Sequence, residues 1–127
     1  MIRVLVVDDH PVVRAGLEAI LRTEPGLVPV GSAENGEGLM AQLRRARPDV
    51  VILDRHLLLE DGLELCRMLR RQPSAPAVVI YTVDPSEELR EQARVAGAAA
   101  VVDKAVEPGI LLDTLRIAGR KAATDRS

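Results

Sequence analysis

Short runs of β-branched and aliphatic residues recur along this chain, with helix-like stretches between them. The clearest are Val4-Leu5-Val6-Val7, Val50-Val51-Ile52-Leu53, Val78-Val79-Ile80-Tyr81 and Val101-Val102. These runs are apolar at every position rather than every second one. Such strands are buried on both faces, which is the mark of a parallel sheet. Crossovers between parallel strands are right-handed, so the pattern restricts the chain to a doubly wound α/β sheet. For five strands in a single domain the expected order is 2-1-3-4-5, with the crevice between strands 1 and 3 at the switch point.

The segments between the runs carry helix signals. After Pro11, which suits a first helical turn, Val13, Leu17, Ile20 and Leu21 fall at helical spacing, up to Glu24-Pro25-Gly26. Leu27–Gly31 is a weaker strand, and Pro29 places it at a sheet edge. Leu39, Leu43 and Ala46 mark a second helix ended by Pro48, and Asp61-Gly62 opens a third that ends by Pro73. Ser86 reads as an N-cap followed by Glu87 and Glu88, with Gly97 as the C-terminal stop. A last helix begins near Pro108. The expectation is one (βα)5 domain, flavodoxin-like in order, over residues 1–120, with 121–127 as a polar tail or the start of a linker.

Composition excludes several functions. The 127 residues carry a formal net charge of -2, so nothing draws the chain to nucleic acid in general. With no Phe, no Trp and one Tyr, it lacks the stacking platforms a single-strand binder needs. The lone Cys66, in an apolar helical stretch, reads as a small core hydrophobe. No membrane-length apolar run or signal peptide is visible, and a cytoplasmic location is expected.

The residues closing the strands point to chemistry. Asp8 and Asp9 follow the first, Asp54 the third, Thr82 the fourth and Lys104 the fifth. Ligands bind outside the carboxyl ends of parallel strands, so these side chains should share one crevice. Three carboxylates together either hold a proton or bind a cation. Oxygen ligands with room for water suit Mg²⁺. Asp54, on the central strand, could act as a nucleophile and form an acyl phosphate, with Lys104 and Thr82 on the other phosphoryl oxygens. Taken singly, each residue has an ordinary explanation as a cap, a strand residue or a surface charge. A transition-metal site with His10 and His56 is disfavoured, because His10 is expected to point away along the helix start. There is no G-x-x-x-x-G-K-[ST] loop, since Glu37 and Gly38 follow Gly36, and no dinucleotide fingerprint, so the phosphoryl group must come from elsewhere.

These motifs resemble the receiver domains of two-component response regulators over residues 2 to about 119. The stretch Val6-Val7-Asp8-Asp9-His10-Pro11-Val12-Val13-Arg14-Ala15-Gly16-Leu17 is similar to the NarL/FixJ (LuxR-type) subfamily. The resemblance implies that Asp54 is the phosphoacceptor, with a histidine kinase as donor. It implies Mg²⁺ held by Asp8, Asp9, Asp54 and the main-chain carbonyl of His56. Thr82 would be the switch hydroxyl and Lys104 the phosphoryl-binding ammonium, with His56 and Asp84 flanking the site. Such a domain is a switch controlling transcription, catalysing only its own phosphorylation and dephosphorylation; a homodimer is among its expected partners.

Three departures stand out. Val101 replaces the family's usual aromatic residue, and Tyr81 should point to the opposite sheet face. Leu57-Leu58-Leu59 replaces a Met-Pro-Gly-like loop and forms an apolar patch. A DNA-binding output domain is absent from these residues, so no direct nucleic-acid contact is expected. Two other classes remain: a phosphorylation-independent interaction module, and a phosphohydrolase. The second is disfavoured because Asp8 and Asp9 are adjacent rather than Asp-x-Asp.

Overall fold

The computed structural model of the chain describes residues 1–126. Five parallel strands, β1 (Ile2–Val7), β2 (Leu27–Ala33), β3 (Val50–Asp54), β6 (Ala77–Thr82) and β7 (Ala100–Asp103), form one sheet in the order β2-β1-β3-β6-β7. Counting sheet strands alone, this is the expected flavodoxin-like 2-1-3-4-5. Between them lie α1 (Pro11–Thr23), α2 (Gly36–Ala46), α3 (Gly62–Arg70), α4 (Glu87–Ala96) and α5 (Pro108–Asp125). Side chains alternate across the strands. Leu5, Val7, Val51, Leu53, Val78 and Ile80 pack with α2, α3 and α4. Val4, Val6, Val50, Ile52, Val79 and Val102 pack with α1 and α5. Each fully buried aliphatic side chain contributes about 1.5–3 kcal/mol of transfer free energy. Cys66 sits fully inside, and burial pushes its thiol up to about 11.

The capping signals act as read. Ser86 Oγ accepts from Leu89 N at 3.0 Å, and Gly97 takes the left-handed conformation (φ 94°) that ends α4. Asn35 and Asp61 cap α2 and α3 in the same way as Ser86. Pro29 lies on the edge strand, where the register with β1 shifts between Val4 and Leu5.

Two local features differ from the sequence reading. The segment after Asp54 is not a plain loop: β4 (His56–Leu57) pairs antiparallel with β5 (Glu60–Asp61). This ribbon is anchored by Glu60 Oε1, which accepts from Gly36 N at 2.7 Å, and by an Arg55–Asp61 ion pair. Consequently Leu57 is buried, and the expected three-leucine patch shrinks to Leu58 and Leu59, 82% and 92% exposed. Second, α5 continues past Arg120 to Asp125, where a fraying tail was expected. Ala122 is buried, and the Arg126 guanidinium donates to Pro48 O at 3.2 Å and pairs with Asp49. Of the expected tail, Ser127 lies outside the described residues. As expected, α2 stops before Pro48, and Arg47 ends it in the left-handed region (φ 45°, ψ 59°). The following Pro48 disfavours continued helix. A side chain with a Cβ pays about 1–2 kcal/mol there.

Candidate functional site

The switch point between β1 and β3 lies where the expected acidic residues are. Asp8 follows β1, and its backbone N–H donates to Ala33 O (3.1 Å) on β2. Asp54 ends β3, and a fixed contact holds it: Gly62 passes so close that an added Cβ would lie 2.3 Å from Asp54 O and 3.0 Å from Arg55 Cα. Only glycine admits that approach at the start of α3. Asp8 is 2% and Asp54 5% exposed, so both carboxylates must find partners within the protein.

Those partners are present. Asp8 Oδ1 accepts from His10 N at 2.9 Å, and Asp8 Oδ2 accepts from Lys104 Nζ at 2.9 Å. Asp54 Oδ1 accepts from His56 N at 3.1 Å, while Asp54 Oδ2 faces Lys104 Nζ at 3.5 Å. Burial pushes the Asp8 carboxyl up, but the His10 N–H, the Lys104 ammonium and the His10 ring together outweigh it and hold it below the ordinary value. At Asp54 burial wins. Its carboxyl stays above the ordinary value despite the His56 N–H and Lys104, with repulsion from Asp8 and Asp9 adding to the rise.

Lys104 is carried to the site by β7 and the turn after it. Its N–H donates to Thr82 O at 2.7 Å, and Asp103 Oδ1 accepts from Ala105 N at 2.8 Å to order the turn. Thr82 is buried at the end of β6, and its Oγ1 accepts from Asp84 N at 3.2 Å. The structure therefore joins Asp8, Asp54 and Lys104 directly. It places Thr82 beside Lys104 through the backbone, with the hydroxyl engaged by Asp84.

His10 departs from its expected orientation. Its Nδ1 lies 3.0 Å from Asp8 Oδ1 and 3.0 Å from Asp9 Oδ1, so the ring folds back over the acidic pair. An extended His10 before Pro11 (φ -94°, ψ 111°) and the Asx-type turn from Asp8 bring it there. That turn is the sequence signal that would have located it. Tyr81 is a second contact missed from sequence. It packs on the α1 and α5 side and Val101 on the other, as expected of adjacent faces. Yet Lys104 Nζ sits 5.6 Å from its ring centroid, a cation–π contact.

Asp8, Asp9, His10 and Asp54 each offer a ligand atom, all within 4.8 Å of one another. Asp9 Oδ1 is buried without a hydrogen-bond partner, alone among the described side-chain atoms; the nearby His10 nitrogen is out of line for one. A buried, unanswered carboxylate oxygen beside two more carboxylates fits a hard divalent cation.

Comparison with known proteins decides the family. The family model described as the response regulator receiver domain matches residues 4–116. The chain belongs to the response regulator receiver family. Among relatives of this receiver, the DNA-binding transcriptional activator DevR/DosR of Mycobacterium tuberculosis is 41% identical over 108 residues, covering 84% of this chain and 49% of that protein. Response regulator GacA of Pseudomonas viridiflava is 37% identical over 117 residues, 92% of this chain and 55% of that protein. A protein-glutamate methylesterase/protein-glutamine glutaminase of Syntrophus aciditrophicus is 38% identical over 106 residues, 82% of this chain and 30% of that protein. The receiver thus spans 30% to 55% of the length of these relatives. A LuxR-family response regulator structure from Aurantimonas superposes with TM-score 0.87 at 28% identity, covering 94% of this chain and 85% of that one. The response regulator domain of Thermotoga maritima CheB, at 24% identity and TM-score 0.85, covers 94% and 97% and shares the fold. The resemblance to receiver domains, LuxR-type among them, is borne out by the family match and the LuxR-family structure. Among the described residues no helix is long and apolar enough to cross a membrane.

Proposed function

We propose that this receiver is a phosphorylation-activated switch in which Asp54 accepts a phosphoryl group from a histidine kinase. The observation that carries the reading is the cluster of buried Asp8 and Asp54 with half-buried Asp9 and Lys104 at the switch point of the sheet. Asp54 Oδ1 is held by the His56 N–H, which leaves Oδ2 as the attacking oxygen. Its bond to phosphorus forms as the donor's P–N bond breaks, and the departing electron pair stays on the imidazole nitrogen. Lys104 moves from Asp8 to a phosphoryl oxygen, and the Thr82 hydroxyl turns from the Asp84 N–H to donate to another. Asp8, Asp9, Asp54 and the His56 carbonyl would hold Mg²⁺, which when bound neutralises the carboxylates and the incoming phosphoryl charge.

The output is a change in association. Val95 on α4 and Ile110 and Ile117 on α5 are exposed, and both helices pack against β7, the strand that leads to Lys104. Phosphorylation that draws on Lys104 and Thr82 would bias this face toward a homodimer. A relative named as a DNA-binding transcriptional activator supports control of a DNA-binding domain. The test is the intact mass of the chain after acetyl phosphate and Mg²⁺. A gain of one phosphoryl group, lost in Asp54→Asn and in EDTA, is expected. No gain would favour a phosphorylation-independent interaction module, with Leu58 and Leu59 as its surface.

A further inference from the structure

At the opposite end of the sheet, five arginines surround one open cavity of about 660 Å³: Arg3, Arg44, Arg45, Arg47 and Arg126, with Asp49 as the one acid in the lining. Asp49 is already used, since its carboxylate takes the Arg3 backbone N–H at 2.8 Å and pairs with Arg126. Among the described residues, the Arg44, Arg45 and Arg47 side chains make no hydrogen bond and no ion pair. They are not needed to cap α2 either, because the Arg3 guanidinium donates to Ala46 O at 2.6 and 3.0 Å and to Arg47 O at 3.2 Å. A chain with net charge -2 has thus gathered three unpaired guanidiniums, one of them on left-handed backbone that glycine would fill with less strain. A second cavity of about 620 Å³ shares Arg44, Arg47 and Arg126 and continues along Met40, Leu43, Pro48 and Pro73. Guanidiniums recognise phosphate bidentately, and a lining of Met40, Leu43, Pro48 and Pro73 with Gln72 and Ser74 offers both apolar contact and hydrogen bonds to a heterocyclic ring.

We infer that this groove binds an organic phosphate, the arginines taking two or more phosphoryl charges and the adjoining cavity taking a flat heterocyclic ring, as in a nucleotide. The site lies at the start of β1, roughly 16 Å along the strand from Asp8 at ~3.3 Å per residue, and is separate from the phosphoacceptor centre. It does not depend on the reading of Asp54.

The experiment is calorimetric titration of the 127-residue chain, without divalent metal and at low ionic strength, with ATP, tripolyphosphate, adenosine and poly-glutamate. ATP is expected to bind, tripolyphosphate more weakly, and adenosine and poly-glutamate not measurably. Arg47→Gly removes a guanidinium at a backbone position suited to glycine. It should keep or raise the Tm while weakening ATP at least tenfold, and Arg44→Glu should abolish binding. No binding of ATP would overturn the inference, as would an unchanged affinity in Arg47→Gly. Tripolyphosphate or poly-glutamate binding as tightly as ATP would do so too.

Discussion

Both ends of this sheet concentrate charge of one sign, yet the two clusters are built differently. At the carboxyl end Asp8 and Asp54 are buried, and a single lysine, the His10 ring and two backbone N–H groups answer them. At the amino end Arg44, Arg45 and Arg47 stand exposed to water. Two unit charges 4 Å apart interact by about 1 kcal/mol in bulk water and about 4 kcal/mol at the effective dielectric near a protein surface. The buried acids are therefore strongly coupled to one another and to Lys104, so one added phosphoryl group must rearrange the set. The arginines carry little coupling until a ligand excludes the water around them.

The largest effect expected of this difference is at Lys104. Lys104→Met leaves Asp8 and Asp54 without their cation and should cost about 2–3 kcal/mol in urea unfolding with EDTA present, somewhat under the usual figure for a fully buried pair. Arg44→Ala at the other end should stay within about 0.5 kcal/mol. Equal losses for the two variants would remove the distinction. Added Mg²⁺ should recover part of the Lys104→Met loss, because it binds the folded state alone.

Next is Gly62→Ala. Its Cβ would strike the backbone of Asp54 and Arg55, which cannot yield as a flexible side chain could. A loss of about 1–3 kcal/mol is expected, together with at least tenfold slower labelling by acetyl phosphate, because Asp54 is displaced. Gly109→Ala, where nothing lies within 4 Å of the added methyl, is the neutral control.

The central strands β1, β3 and β6 were legible because burial on both faces leaves an unbroken apolar signature, whereas the half-buried edge strand β2 gave a weaker signal that stopped at Gly31 instead of Ala33. Local capping was legible as well, since Ser86 and Gly97 act within a few residues of themselves. What escaped depends on contacts distant in sequence. The β4–β5 ribbon has two residues per strand and is held by Glu60 reaching Gly36, 24 positions away. The last turns of α5 look polar but bury Ala122 and send Arg126 to Asp49, 77 positions away. At the site, the residue types and their strand ends were readable. The Lys104–Asp8 bond and the return of His10 over Asp9 were not, because each depends on a side-chain rotamer.

A pH series on Asp54→Asn separates coupling from simple removal of charge. Burial makes Asp54 hold its proton more tightly folded than unfolded. Above its raised pKa the ionised carboxylate therefore subtracts from stability, and that penalty disappears as pH falls through it. Asp8 runs the other way: its lowered pKa contributes stability above the ordinary aspartate range, which is lost as pH falls through the folded value. In EDTA at neutral pH, Asp54→Asn should raise the Tm by a few degrees, about what 1 kcal/mol produces in a domain of this size. The advantage should shrink toward the ordinary aspartate range while Asp8 begins to destabilise both proteins. A pH-independent difference would mean that Asp54 carries no titrating penalty.

The smallest effect concerns backbone rather than charge, and lies at the amino end. Arg47 ends α2 with φ 45°, and among the described residues its exposed side chain makes no hydrogen bond. Arg47→Gly relieves the left-handed strain, but glycine also gives the unfolded chain more freedom. The two terms nearly offset, so a net gain of about 0.5 kcal/mol or less is expected in urea unfolding. A loss beyond about 1 kcal/mol would show the guanidinium to be structural after all. The amino end would then resemble the carboxyl end, its charges held for the fold rather than for a ligand.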